Sequence, residues 1–252
     1  MARNKGGLLW PALVSLFILL AAALVAFPMY VHYEVVGTTG AYAPLYLYEH
    51  SPYDTITVEV LYQAGAVPSD VALDNLRQTL AKYTYRDIEI KKIGDIPADA
   101  VPEHIDDNNA TEIGDSIIQK YGQGQMGWLG GSIPMYIIYL NASGRSTGAG
   151  ENDAVVGISY RADSFMVLMD GINSVGLEKS VLVHETGHLL GLEHCDNQSC
   201  VMSSVLVQKS SWSYGIGGPP TDFCPIHQQE LADRRQDLFY NMNHAALNVS
   251  DT

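Results

Sequence analysis

The chain has 252 residues, 47% of them hydrophobic and 17% charged, with a formal net charge of −14. That is enough chain for one domain with a real core plus an appendage, and the composition is globular rather than disordered. The acidic balance argues against nucleic acid as a partner, since phosphate binding needs a basic surface. No P-loop or Rossmann glycine pattern follows a credible strand.

The N-terminus stands apart. A basic tail (1–7) precedes 24 uncharged residues, Leu8 to Val31, and about 20 apolar residues span a bilayer as a helix. Pro11 lies near the start of this run, where a helix tolerates it. The expectation is a transmembrane anchor over 8–31. The alternative is a cleaved signal peptide with small residues near Ala21 to Ala26. Arg3 and Lys5 precede the span, and the remainder is at −16, with 12 basic against 28 acidic residues. The basic end therefore stays cytoplasmic, and the body lies outside the cell membrane.

Residues 32–54, rich in Tyr, Gly, Thr and Pro, read as a stalk, leaving 55–252 as the body. "TITVEVLY" (55–62) is β-branched and alternating, a strand. "SDVALDNLRQTLAKY" (69–83) has apolar residues at helical spacing behind a capping Ser69 or Asp70. "DIEIKKI" (87–93) is a second strand, 94–110 is acidic and turn-rich, and "TEIGDSIIQKY" (111–121) is a short helix. "GQGQMGWLGG" (122–131) reads as a loop. Strands follow at "IPMYIIYL" (133–140), "AVVGISY" (154–160) and "SFMVLMD" (164–170). "LEKSVLVHETGHLL" (177–190) is a helix apolar on both faces, hence buried, and Gly191 ends it. "HQQELADRRQDLFYNM" (227–242) is a last amphipathic helix. This order predicts an α+β fold, a mixed β-sheet with helices packed on it.

The buried helix carries "HETGHLLGLEH" (184–194). His184 and His188 are four apart on one helix and project from the same face, so one metal ion can take both imidazoles. After the break at Gly191 the chain can bring back His194 as a third ligand. Three histidines leave a fourth zinc position open, the arrangement of a catalytic site. Glu185 is placed to reach a water at that position without ligating the metal. The bland alternative, ordinary helix histidines, requires chance agreement of five residues at fixed offsets in a chain with only eight histidines.

All three cysteines follow the motif: Cys195, Cys200 and Cys224, with His227 in "CPIH". Two short-spaced pairs make a tetrahedral set of three thiolates and one imidazole, a closed structural zinc site. The alternative is one disulfide, a free thiol and an ordinary surface histidine.

The extended HExxHxxGxxH motif is the signature of metzincin zinc peptidases. With the following cysteine, "CVM" at 200–202 and the distant Cys224, the chain resembles the archaemetzincins. It matches that pattern at His184, Glu185, His188, Gly191, His194, Cys195, Cys200, Met202 and Cys224. His227 stands where a fourth cysteine is usual, the segment between Met202 and Cys224 is longer, and the N-terminal anchor is an addition.

The resemblance implies a zincin-like sheet, an active-site helix over a methionine floor at Met202, and a zinc-stapled C-terminal subdomain. It implies two Zn2+, one catalytic and one structural. It also implies hydrolysis of a peptide or protein substrate, as an endopeptidase or an aminopeptidase-type enzyme, with Glu185 as general base. "AVVGISY" becomes the edge strand above the cleft, where a peptide would add as a further strand. Tyr214 is a weak candidate for stabilising the oxyanion. The rival from another class is an inactive, zinc-stabilised, membrane-anchored binding module.

Overall fold

The computed structural model describes residues 9–127, 130–145, 154–203 and 218–237. A 28-residue helix, α1 (Leu9–Val36), leads into the body. Residues 13–23 of α1, wherever their side chains are described, are exposed on every face. Among the described residues no helix is long and apolar enough to cross a membrane. The described side chains of α1 cover only part of its length; its backbone is helical throughout.

No stalk separates α1 from the body. The Val36 carbonyl accepts the Ala162 N–H at 2.8 Å. A short helix, α2 (Ala43–Leu47), follows within a few residues. Tyr42, Ala43, Tyr46 and Leu47 are buried in the main core, and the Tyr46 hydroxyl donates to the Pro134 carbonyl at 2.8 Å. The stalk expected over 32–54 is thus corrected: its second half is part of the domain. Five helical residues are too few to display a period, and the tyrosines bury their rings while satisfying a polar tip.

The body is built on a five-stranded sheet in the order β2-β1-β4-β8-β7. Strands β1 (Tyr53–Gln63), β2 (Asp87–Ile96), β4 (Gly131–Leu140) and β8 (Ser164–Leu168) run parallel, and β7 (Gly157–Ser159) closes one edge antiparallel to β8. Helices α3 (Asp70–Thr84) and α5 (Val175–Leu189) cover one face. Helix α4 (Ala110–Tyr121) covers the other. Strand β4 shows the consequence: Ile133, Met135, Ile137 and Tyr139 face the first layer, while Tyr136, Ile138 and Leu140 face the second. Parallel strands buried on both faces read as continuous apolar runs. In β1 the alternation is only apparent, because Glu59 is buried too and accepts the Gln123 N–H at 2.8 Å.

A small second sheet joins β3 (His104–Asp106), β5 (Ser143–Arg145) and β6 (Ala154–Val155). The single strand expected over 154–160 is therefore two. Its first half pairs with β5, and its second half pairs with β8 in the main sheet. After β8 the chain makes a 3-10 turn at Met169–Gly171 where more strand was expected. The last helix, α6 (Pro225–Gln236), starts earlier than expected because Pro225 suits the first turn. The expected continuation to 242 lies outside the described residues, as does Tyr214.

Candidate metal centre

Helix α5 begins at Ser174, whose hydroxyl accepts the Leu177 N–H at 3.2 Å, and runs buried beneath the sheet edge. His184 and His188 emerge one turn apart on the same face. The helix stops at Gly191, which holds φ +82°, a conformation costly for any residue with a Cβ. The chain then reverses and brings His194 beside them.

The three rings converge through their Nε2 atoms. Nε2 of His184 lies 3.2 Å from Nε2 of His188 and 3.2 Å from Nε2 of His194. Nδ1 of His184 faces the Val201 carbonyl at 2.7 Å, and Nδ1 of His188 faces the Leu192 carbonyl at 3.0 Å. A carbonyl only accepts, so each Nδ1 carries the proton and each Nε2 of the neutral ring presents a lone pair. Burial lowers the pKa of both His184 and His188 to about 4 and lowers that of His194, keeping all three neutral near physiological pH. Lone pairs facing at this distance repel unless a cation lies between them. Two nitrogens on one tetrahedral zinc, at 2.0–2.1 Å each, stand about 3.3 Å apart. The donor set fits that ion, and the second-layer carbonyls orient the rings as zinc-binding histidines require.

Glu185 is buried beside this triad, and its Oε2 accepts the Ser159 hydroxyl at 2.7 Å. Burial raises its pKa, against opposing pulls from His188 and Ser159. A Cβ at position 157 would stand 2.3 Å from Glu185 Oε1, so Gly157 leaves the carboxylate its space. The triad and Glu185 open onto a cleft of about 300 Å³ walled by Thr39, Asp107, Val155 and the edge strand β7. The edge position expected for "AVVGISY" is held by its second half. Ser159, Asp107 and Thr39 escaped the sequence reading. Only Ser159 left a signal, as the polar residue of an apolar edge strand.

Below the triad, Met202 is fully buried, and its Sδ lies 2.3 Å from where a Cβ on Gly187 would be. Its carbonyl accepts the Cys195 N–H at 2.9 Å, which ties the floor to the residue after His194.

A second donor set lies next along the chain. Ligand atoms of Cys195, Cys200, Cys224 and His227 all fall within 4.8 Å of one another. His227 Nδ1 is 3.3 Å from Cys200 Sγ and 3.7 Å from Cys224 Sγ. On one tetrahedral zinc, sulfur at 2.3 Å and nitrogen at 2.0–2.1 Å stand about 3.5 Å apart. All three cysteines are free thiols in this structure. His227 is buried and not an ordinary surface residue. The Cys224 N–H donates to Cys200 Sγ at 3.2 Å, which offsets part of the burial that pushes the Cys200 thiol up to about 12. The three cysteines and His227 fit a closed zinc site.

Comparison with known proteins agrees with this geometry. Residues 37–216 match the matrixin family of peptidases, Peptidase_M10. The archaemetzincin of Aeropyrum pernix is 59% identical over 34 residues, 14% of this chain and 18% of that protein. The archaemetzincin of Haloarcula marismortui is 73% identical over 22 residues, 9% of this chain and 13% of that protein. These matched stretches span less than a fifth of either relative. Among solved structures, the archaemetzincin of Methanopyrus kandleri superposes with a TM-score of 0.50 at 16% identity, covering 73% of this chain and 97% of that one, a likeness of fold. With the family match extending over more than two thirds of its length, the chain belongs to the matrixin family of metallopeptidases, and it is similar to archaemetzincins in these short stretches and in fold.

Proposed function

We propose that this chain is a membrane-tethered zinc peptidase. His184, His188 and His194 hold a catalytic zinc, Glu185 is the general base, and Cys195, Cys200, Cys224 and His227 hold a structural zinc. The observation that carries the reading is the convergence of three histidine Nε2 atoms beside a buried carboxylate. A structural site has no use for an acid at that position.

Zinc bound there supplies Lewis acidity and brings a water's pKa towards ~7. The chain's own groups do the rest. An extended peptide aligns along β7, the antiparallel edge of the sheet, by adding as a further strand. Glu185 takes a proton from the attacking water at a carboxylate oxygen and passes it to the leaving amine. Burial raises the carboxyl's affinity for that proton, and the Ser159 hydroxyl holds Oε2 so that Oε1 is left for the transfer.

Tethering rests on the 24 uncharged residues of Leu8–Val31 and on a helix whose positions 13–23 are all exposed. A helix apolar all round belongs in a core or a bilayer. The tail 1–7 lies in the cytoplasm and the catalytic body outside.

The test is Glu185→Ala in the full-length protein. Peptide hydrolysis should fall roughly 10²- to 10⁴-fold, with both zinc ions retained. Near-normal activity would show that Glu185 is not the base. A zinc-loaded wild type that cleaves nothing in a mixed peptide pool would instead establish the inactive binding module.

A further inference from the structure

We propose that Arg234, on α6, is a positioning residue for the histidine site: it fixes the peptide unit from which the chain turns back to deliver His194. The proposal rests on the reading of His194 as a ligand.

The peptide between Gly191 and Leu192 decides where the chain leaves α5. It is held from both sides. The Leu192 N–H donates to the Gly187 carbonyl at 2.9 Å, inside the helix. On the opposite side, the Gly191 carbonyl accepts Arg234 Nη2 at 2.9 Å. The next carbonyl, that of Leu192, receives His188 Nδ1 at 3.0 Å. One turn thus orients His188 directly and sends the backbone to His194, and its peptide is kept from rotating by the Arg234 guanidinium together with the Leu192–Gly187 bond. A free peptide after a glycine of positive φ is among the easiest in a chain to rotate.

Arg234 is itself fixed. Its side chain is only 6% exposed, an expensive place for a charge without partners. Glu230, one turn earlier on α6, accepts Nε at 3.2 Å and Nη2 at 2.8 Å through the same Oε1. Nη1 would lie 2.9 Å from a Cβ at residue 191, so the guanidinium rests directly on that glycine. From the other side Gly40 closes in, where a Cβ would lie 3.0 Å from Gly191 Cα and 3.1 Å from the His188 carbonyl. The turn is clamped between the N-terminal segment and the C-terminal helix. α6 also carries His227, so one rigid element touches the second donor set at its start and the His194 turn near its end.

The probe is cobalt(II), loaded into both sites of the full-length protein and withdrawn by EDTA. The thiolate-to-cobalt charge-transfer band reports the cysteine site, and the weaker d–d bands report the histidine site. Arg234→Met keeps the apolar stem and removes the donor. It should release cobalt from the histidine site roughly 10- to 100-fold faster, the range for losing a hydrogen bond to a charged group, while the charge-transfer band persists. Arg234→Lys should recover part of the difference, since an ammonium reaches one carbonyl but lacks the fork that Glu230 holds. Unchanged release in a folded Arg234→Met protein would overturn the proposal. So would equal acceleration at both sites, which marks general loosening. If Arg234→Met does not fold, Glu230→Gln decides by the same two readings. A wild type that takes cobalt only at the cysteine site would overturn both this proposal and the histidine-site reading.

Discussion

Consider Gly187→Ala, in the helix turn between the two motif histidines. In an isolated helix this change is favourable by about 1 kcal/mol. Here the new methyl would arrive 2.3 Å from Met202 Sδ, 3.1 Å from its Cε and 3.0 Å from Phe223 Cε1. Met202 and Phe223 are buried, so neither can swing into solvent. Overpacking a filled core costs roughly 1–3 kcal/mol, which outweighs the helical gain and leaves a net loss of about 0–2 kcal/mol. In a domain of this size that lowers Tm by roughly 2–4 °C per kcal/mol. A displaced Met202 also drags the Val201 carbonyl from His184 and its own carbonyl from Cys195. The decisive assay is a double-mutant cycle by thermal or urea unfolding at saturating zinc. Met202→Ala alone should cost roughly 2–5 kcal/mol. Adding Gly187→Ala to it should be neutral or stabilising, because most of the clash has gone. An equal cost of Gly187→Ala in both backgrounds would refute the methionine floor as the reason for the glycine.

Elemental analysis of the full-length protein should give two zinc ions per chain; one zinc with a Cys195–Cys200 disulfide would remove the structural site. His227→Ala should lose metal from the cysteine set and lower the melting temperature, given that structural zinc contributes of order 10 kcal/mol to folding. His227→Cys should keep both metal and stability, and alanine leaving both unchanged would mean another fourth ligand. Protease added to intact cells should degrade the body while the mature N-terminus keeps its first residues. A mature chain starting near Phe27 would identify a signal peptide.

Parts of this architecture were legible because short-range rules carry them. The i, i+4 spacing of His184 and His188 and the glycine break at 191 place the triad before any tertiary contact is known. Close cysteine and histidine spacings did the same for the second set. What stayed hidden depends on distant partners. Tyr42 and Tyr46 look like linker residues until the sheet they plug is present. The run 154–160 looks like one strand because changing sheets at Val156 leaves the apolar pattern intact. Arg234 reads as one of several charges on an amphipathic helix. Only the fold shows that its partner is a backbone carbonyl 43 residues away. The carbonyls of Val201 and Leu192 that set the histidine tautomers carry no side-chain identity, so no sequence pattern could reveal them.

The direct junction between α1 and the body sets a working distance. Val36 ends the helix, and Thr39 already walls the cleft. Three residues of chain reach at most about 10 Å, whereas a 23-residue leash would reach roughly 80 Å. If α1 is anchored over 8–31 as proposed, the surface that receives it lies within about 18 Å of the cleft wall, roughly 8 Å for helix residues 32–36 and about 10 Å for the chain that follows. The Val36–Ala162 hydrogen bond and the packing of Gly40 against Gly191 further limit how far the body can pivot. Under the proposed tethering, so short a mooring would select targets by height: chain segments close to that surface would come within reach, and those held farther out would have to bend down to it.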